Sequence, residues 1–247
     1  MQPSPPAPNV IALARAALHA YAARAEPTPD VLDADAGPAV LVSLVLDREA
    51  LDDEVADRVL ARWVLTQQAH LCGHPGLYGG LAGLWAGARL VARHRPRLGA
   101  LVEPLGEALA GYATAGAWRT DRVAWHDYDL VSGPTGVVLA ATIHAPGDGG
   151  DAARSAARHL AALCRDATLE PLRVASYADD ELRAWNHGRI NTGLAHGVGG
   201  VVAALTAAVR DAEAELRAAL RRAAGALARE AYVDRDGLCT WPPAAAE

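Results

Sequence analysis

The sequence predicts an all-α protein built from repeated helix pairs. Three observations carry this. A G-x-x-G step opens an apolar segment three times, at Gly80–Gly83, Gly133–Gly136 and Gly197–Gly200, with spacings of 53 and 64 residues. Each apolar segment is followed by an amphipathic one. No segment alternates apolar and polar residues with the period of two that a half-buried strand needs. Helices apolar all round must be buried, and amphipathic ones can cover them. Repeated pairs of this kind stack into a solenoid or close into a ring with an inner and an outer layer. In a ring the glycine turns gather at one rim. A helix bundle with packing glycines fits the same repeat.

The elements follow in order. Residues 1–8 are Pro-rich and are expected to be disordered, leaving residues 9–247 as a single domain. Asn9 can cap a helix from Val10 to about Ala25, which "EPTPD" ends. An apolar segment runs from Pro38 to Leu46. "DDEVADRVLARWVLTQQ" is amphipathic, with acids in its first turn, where the helix dipole favours them. "GLYGGLAGLWAGARLVARH" is glycine-led and apolar, and "RLGALVEPLGEALAGYATA" is amphipathic, with Pro104 inside or at its start. "SGPTGVVLAATIHA" and "DAARSAARHLAALCRDA" repeat the pair. "AHGVGGVVAALTAAV" and "DAEAELRAALRRAAGALAREAY" repeat it again.

Composition narrows the function classes. The chain has 247 residues and a formal net charge of −6, a balance that does not suggest nucleic-acid binding, which usually shows a basic face. The longest apolar stretch, "GPAVLVSLVL", is about half of what a membrane span needs. The N-terminus lacks a secretory signal pattern. Cys72, Cys164 and Cys239 are three and far apart, which argues against a disulfide framework and for a reducing cytoplasm.

The residues that could carry chemistry lie at the glycine turns. Asp127 and Asp129 precede the second turn, and His196 lies within the third. If the turns share a rim, Asp129 and His196 face one opening. A carboxylate beside an imidazole stabilises the charged ring and fixes its tautomer, an acid–base pair. Each residue alone has a plainer reading, Asp129 as a helix N-cap and His196 as a tolerated loop histidine. His74 could line the same rim. His126 and His187 flank the motifs. Trp125 and Trp185 precede the second and third motifs and could pack the rim or hold an apolar side chain. Cys164 reads as core.

Together, "GLYGGLAG", "DYDLVSGPTG" and "NTGLAHGVGG" resemble the lanthionine synthetase C-like family, the cyclases of lantibiotic and lanthipeptide biosynthesis. "DRDGLCTWPP" looks like the segment the family carries after its fourth helix pair. The resemblance implies an α/α toroid, with roughly four of the family's seven helix pairs present. It implies addition of peptide cysteine thiols to dehydroalanine or dehydrobutyrine, giving thioether rings in a ribosomally made precursor peptide. A lanthipeptide dehydratase is then a possible partner. By motif position Asp129 and His196 fall on the catalytic residues. His74, Tyr78, Trp125, Trp185 and Asn191 fall where substrate would lie. Thr192 and Gly199 stand where leucine and proline are common.

One departure bears on mechanism. The family holds a zinc ion with two cysteines and a histidine, from motifs like Trp-Cys-Tyr-Gly and Cys-His-Gly. Neither motif occurs in this sequence. No metal ligand is therefore assigned, and none of the family's zinc is expected to be bound by this chain alone. The alternatives are a truncated homologue that binds a peptide or partner without catalysis, and an α/α-toroid glycoside hydrolase using carboxylates among Asp127, Asp129, Asp179 and Asp180. A truncated ring would expose apolar helix flanks and self-associate.

Overall fold

The structure, a computed structural model, describes residues 8–24, 35–69, 74–116, 118–143, 150–209 and 214–245. Among these, nine α-helices alternate between two layers. The inner layer holds α2 (Gly37–Leu46), α4 (Leu81–Ala92), α6 (Pro134–Ala141) and α8 (Val198–Ala208). The outer layer holds α1 (Pro8–Ala23), α3 (Asp53–Ala69), α5 (Val102–Thr114), α7 (Gly150–Leu163) and α9 (Ala214–Glu230). Each inner helix packs on its inner neighbours in chain order, α2 on α4, α4 on α6 and α6 on α8. Each also packs on the outer helix that follows it. This is the arc of an α/α toroid, the ring among the arrangements the repeat allows and the fold the resemblance implies.

The layering follows from side-chain size and polarity. Of the inner helices, α4 buries nine of its twelve residues and α6 seven of its eight. The outer α7 buries one stripe, Ala152, Ala156, Ala157, Leu160, Ala161 and Leu163, and shows charges on its other face. Gly87 lets the Trp63 ring of α3 press against α4.

The three glycine steps have one geometry. The cap residues Gly80, Gly133 and Gly197 are all extended, and none of α4, α6 and α8 has a side-chain cap. Carbonyls of the preceding turn take over that role. Leu81 N donates to His74 O at 3.1 Å, and Val198 N to Asn191 O at 2.8 Å. One turn into each helix, Gly83, Gly136 and Gly200 lie under the carbonyls of Leu77, Leu130 and Leu194, which a Cβ would strike. The G-x-x-G spacing thus folds each turn back over its own helix start.

Two details differ from the sequence reading. The first helix begins at Pro8 and ends at Ala23; residues 1–7, "EPTPD" and the side chain of Asn9 lie outside the described residues. A two-stranded hairpin, β1 (Tyr232–Val233) with β2 (Cys239–Thr240), follows α9. Its loop is tied by Asp234 Oδ1, which accepts the Asp236 and Leu238 N–H groups, each at 2.9 Å. Two-residue strands are too short to show alternation. Pro104 sits in the first turn of α5, where it costs no helical bond. Cys164 is buried in the core. No helix among the described residues is long and apolar enough to cross a membrane.

Candidate active site

The glycine turns meet at one rim and are stitched together by backbone. Tyr78 N of the first turn donates to Val131 O of the second at 3.1 Å, and Leu130 N of the second to Ala195 O of the third at 3.0 Å. The stitching is close because Gly76 has no Cβ; one would run into the Val131 carbonyl and Ser132 backbone.

This brings Asp129 and His196 together across 67 residues of sequence. Nδ1 of His196 lies 2.7 Å from Oδ2 of Asp129. The carboxylate is 1% exposed and the imidazole 36%. Oδ1 of Asp129 accepts the Ser132 amide at 2.9 Å and its hydroxyl at 3.2 Å. Asp129 is therefore bound within its own turn and to the imidazole. Burial pushes its carboxyl above the ordinary range, against the bonds from Ser132 and His196. An acceptor at Nδ1 makes that nitrogen the N–H donor and leaves Nε2 of His196 for a substrate.

The other expected residues take distinct places. Trp125 lies flat on the His196 ring, with centroids 4.5 Å apart and planes 18° apart. Nδ1 of His74 accepts the Gly76 N–H at 3.2 Å, so the neutral ring carries its proton on Nε2. Burial lowers the pKa of His74, and the Asp129 charge opposes this. Tyr78 exposes its side chain and ties the turns through its backbone. Asn191 is buried, and its Oδ1 accepts the Gly193 N–H at 2.8 Å, shaping the third turn. Trp185 is set apart from the Asp129–His196 pair. It lines an open cavity of about 470 Å³ with Leu194, Trp241 and Asn191.

Some partners carry no motif. Tyr177 packs against Trp125, with ring centroids 5.0 Å apart, and Arg183 lies 4.4 Å over the Tyr177 ring. Arg183 is in turn paired with Asp180. Ser132, directly before the cap glycine, was within reach of the sequence; the Tyr177–Arg183 stack had no periodic signal.

Among the described residues no three His, Cys, Asp or Glu side chains are grouped to hold a metal ion. Cys239 is exposed on the hairpin, and Cys164 is buried with its thiol pushed up to about 12. Cys72 lies outside the described residues. The described donors do not fit the zinc ion that the resemblance implies.

No family model matches the sequence, and no curated protein matches it. Among solved structures, nisin cyclase is similar in fold, with a TM-score of 0.68 and 15% identity. The match covers 96% of this chain and 61% of that one. The chain thus spans about three fifths of the length of nisin cyclase. The likeness is one of fold, an α/α toroid.

Proposed function

We propose that the protein holds the acid–base centre of a lanthionine synthetase C-like cyclase and acts on a dehydrated, cysteine-containing peptide. The observation that carries this reading is the Asp129–His196 contact at the rim where the three glycine turns meet. The toroid fold shared with nisin cyclase supports it.

The reaction balances on this chain's own groups. Nε2 of His196 takes the proton from the substrate thiol. The Asp129 carboxylate at Nδ1 stabilises the resulting imidazolium. The thiolate sulfur bonds to the β-carbon of dehydroalanine or dehydrobutyrine, and the displaced π pair forms an enolate. Nε2–H of His74 donates to the enolate oxygen. The imidazolium then returns the proton to the α-carbon, leaving a thioether. Trp125 keeps the His196 ring in one plane. Tyr78 and Asn191 shape the turns on which the peptide lies, and the Trp185 cavity takes an apolar peptide side chain.

A second reading is a peptide-binding scaffold without turnover. The lack of a three-donor metal group among the described residues favours it. One experiment separates the two. The protein is incubated with a dehydrated peptide, and unreacted thiols are counted by alkylation and mass spectrometry. Cyclisation slowed about 10²–10⁴-fold by His196→Ala, with unchanged helical circular dichroism, supports the cyclase. Peptide binding with no loss of thiols in the unsubstituted protein supports the scaffold.

A further inference from the structure

Outside the rim, α9 presents a second feature, and it does not depend on the cyclase reading. Ala218, Arg221, Arg222 and Arg229 of α9 line a cavity of about 280 Å³ with Ala167 from the loop after α7. Three arginine side chains line it, and among the described residues no carboxylate does. This occurs in a chain whose net charge is −6.

Two of the three arginines are held in place by backbone. Nε of Arg222 donates to Cys164 O at 2.6 Å, and an amino group of Arg229 to Ala167 O at 3.4 Å. The other Arg229 amino group folds back over Gly225, 3.8 Å from where a Cβ would stand. The Arg229 head therefore lies back along the helix on the side of Arg221 and Arg222, which precede it by two turns. Arg221 is exposed and has no hydrogen-bond or ion-pair partner among the described residues. Guanidinium groups stay charged throughout the ordinary pH range. Gathering three of them without a carboxylate raises the local potential, which a bound anion relieves.

We propose that this cavity is a binding site for a phosphate-class oxyanion carried by a small soluble molecule. A tetrahedral oxyanion offers oxygens to several guanidinium forks at once, where a flat carboxylate offers two in one plane. The volume lies at the small end of ligand cavities, suited to a phosphate or pyrophosphate group. An acidic chain repels a long polyanion, which argues against nucleic acid as the ligand.

The test uses the full chain, with inorganic pyrophosphate as the probe in isothermal titration calorimetry. One saturable site is expected, weakened by added salt. The double variant Arg221→Gln, Arg229→Gln should bind at least about tenfold more weakly, and Arg221→Gln alone should show part of that loss. Arg217→Gln, on the same helix but outside the cavity, should bind like the unsubstituted protein. Circular dichroism checks that each variant is folded. Absence of saturable binding at low salt overturns the proposal. So does an equal loss in Arg217→Gln, which marks a general basic surface. Binding to phosphoinositide vesicles that pyrophosphate does not displace assigns the surface to lipid headgroups and also overturns it. Binding is read without turnover, so a failure here is distinct from a failure of the cyclase reading.

Discussion

Two carboxylates, two residues apart in one turn, have opposite surroundings. The side chains of Asp127 and Asp129 are each 1% exposed. Asp127 faces the anchor that holds the turn to the rest of the fold. Its Oδ2 accepts Ala124 N at 2.8 Å and Arg119 Nε at 3.0 Å, and its Oδ1 accepts Arg119 N at 3.0 Å. Its backbone carbonyl accepts His159 Nε2 of α7 at 2.8 Å. Asp129 faces the rim, where one oxygen serves the turn and the other meets a half-open imidazole. Burial works on both. At Asp127 the bonds from Ala124 and Arg119 outweigh it and hold the carboxyl below the usual range; at Asp129 burial prevails. Carboxylates equally hidden from solvent thus serve as a structural anchor in one case and a chemical group in the other. Asp127 gains a guanidinium and two amide donors, whereas Asp129 lies deeper in the protein.

The largest effect expected on stability is at the anchor. Asp127→Ala strands the buried Ala124 amide, takes the acceptor from the part-buried Arg119 amide and removes the partner of the Arg119 side chain. Each stranded donor costs about 1–3 kcal/mol. Arg119 is half exposed and recovers water, so its loss adds little. Denaturant unfolding should show a loss of about 2–4 kcal/mol. Asp129→Asn should change stability much less, by about 1 kcal/mol or less, because the amide keeps an acceptor for Ser132. Its effect should fall on cyclisation instead, about 10²-fold. Equal destabilisation by the two substitutions would erase the contrast.

A pH series of unfolding measurements sharpens it. Asp127 titrates below its unfolded value of 3.8. Its contribution is present above that value and is lost as the pH falls through the folded one. Asp129 titrates above 3.8 in the folded protein. The folded state then binds more protons than the unfolded one, so stability falls as pH rises from 3.8 through the raised value. Asp129→Asn should therefore gain stability relative to the unsubstituted protein on going from acid to neutral pH. Asp127→Asn should lose stability over its own lower window. Parallel pH curves for the two variants would refute the assignment.

How much of this was legible depends on what each feature rests on. The cap glycines and the glycines three residues on are written in the sequence because a carbonyl occupies the space of their Cβ. The layering was legible because burial follows apolar periodicity. The meeting of Asp129 with His196 followed from placing the turns on one rim. The motif resemblance already singled out Asp129, but the anchoring role of Asp127 was not legible, since it reads as one more polar residue before a glycine. It depends on Arg119, on the Ala124 amide and on His159 of α7, set by packing rather than by spacing. The arginine cavity was hidden for the same reason. On paper Arg221, Arg222 and Arg229 are the polar face of an amphipathic helix, and only the carbonyls of Cys164 and Ala167 hold Arg222 and Arg229 beside the cavity.

The smallest expected effect concerns Trp125, which joins the two regions by sitting between the anchor and the rim. Its ring lies on His196 at 4.5 Å, and such a stack contributes about 0.5–1.5 kcal/mol. Asp129 fixes one ring nitrogen of His196 but leaves the ring free to rotate about that bond. The indole restricts this rotation and so defines where Nε2 points. Trp125→Leu should cost about 1 kcal/mol in stability and about tenfold in the cyclisation rate constant, with peptide affinity unchanged. Trp125→Tyr keeps a flat ring and should restore most of the rate. If leucine and tyrosine behave alike in cyclisation, the indole only fills space, and the orientation of His196 rests on Asp129 alone.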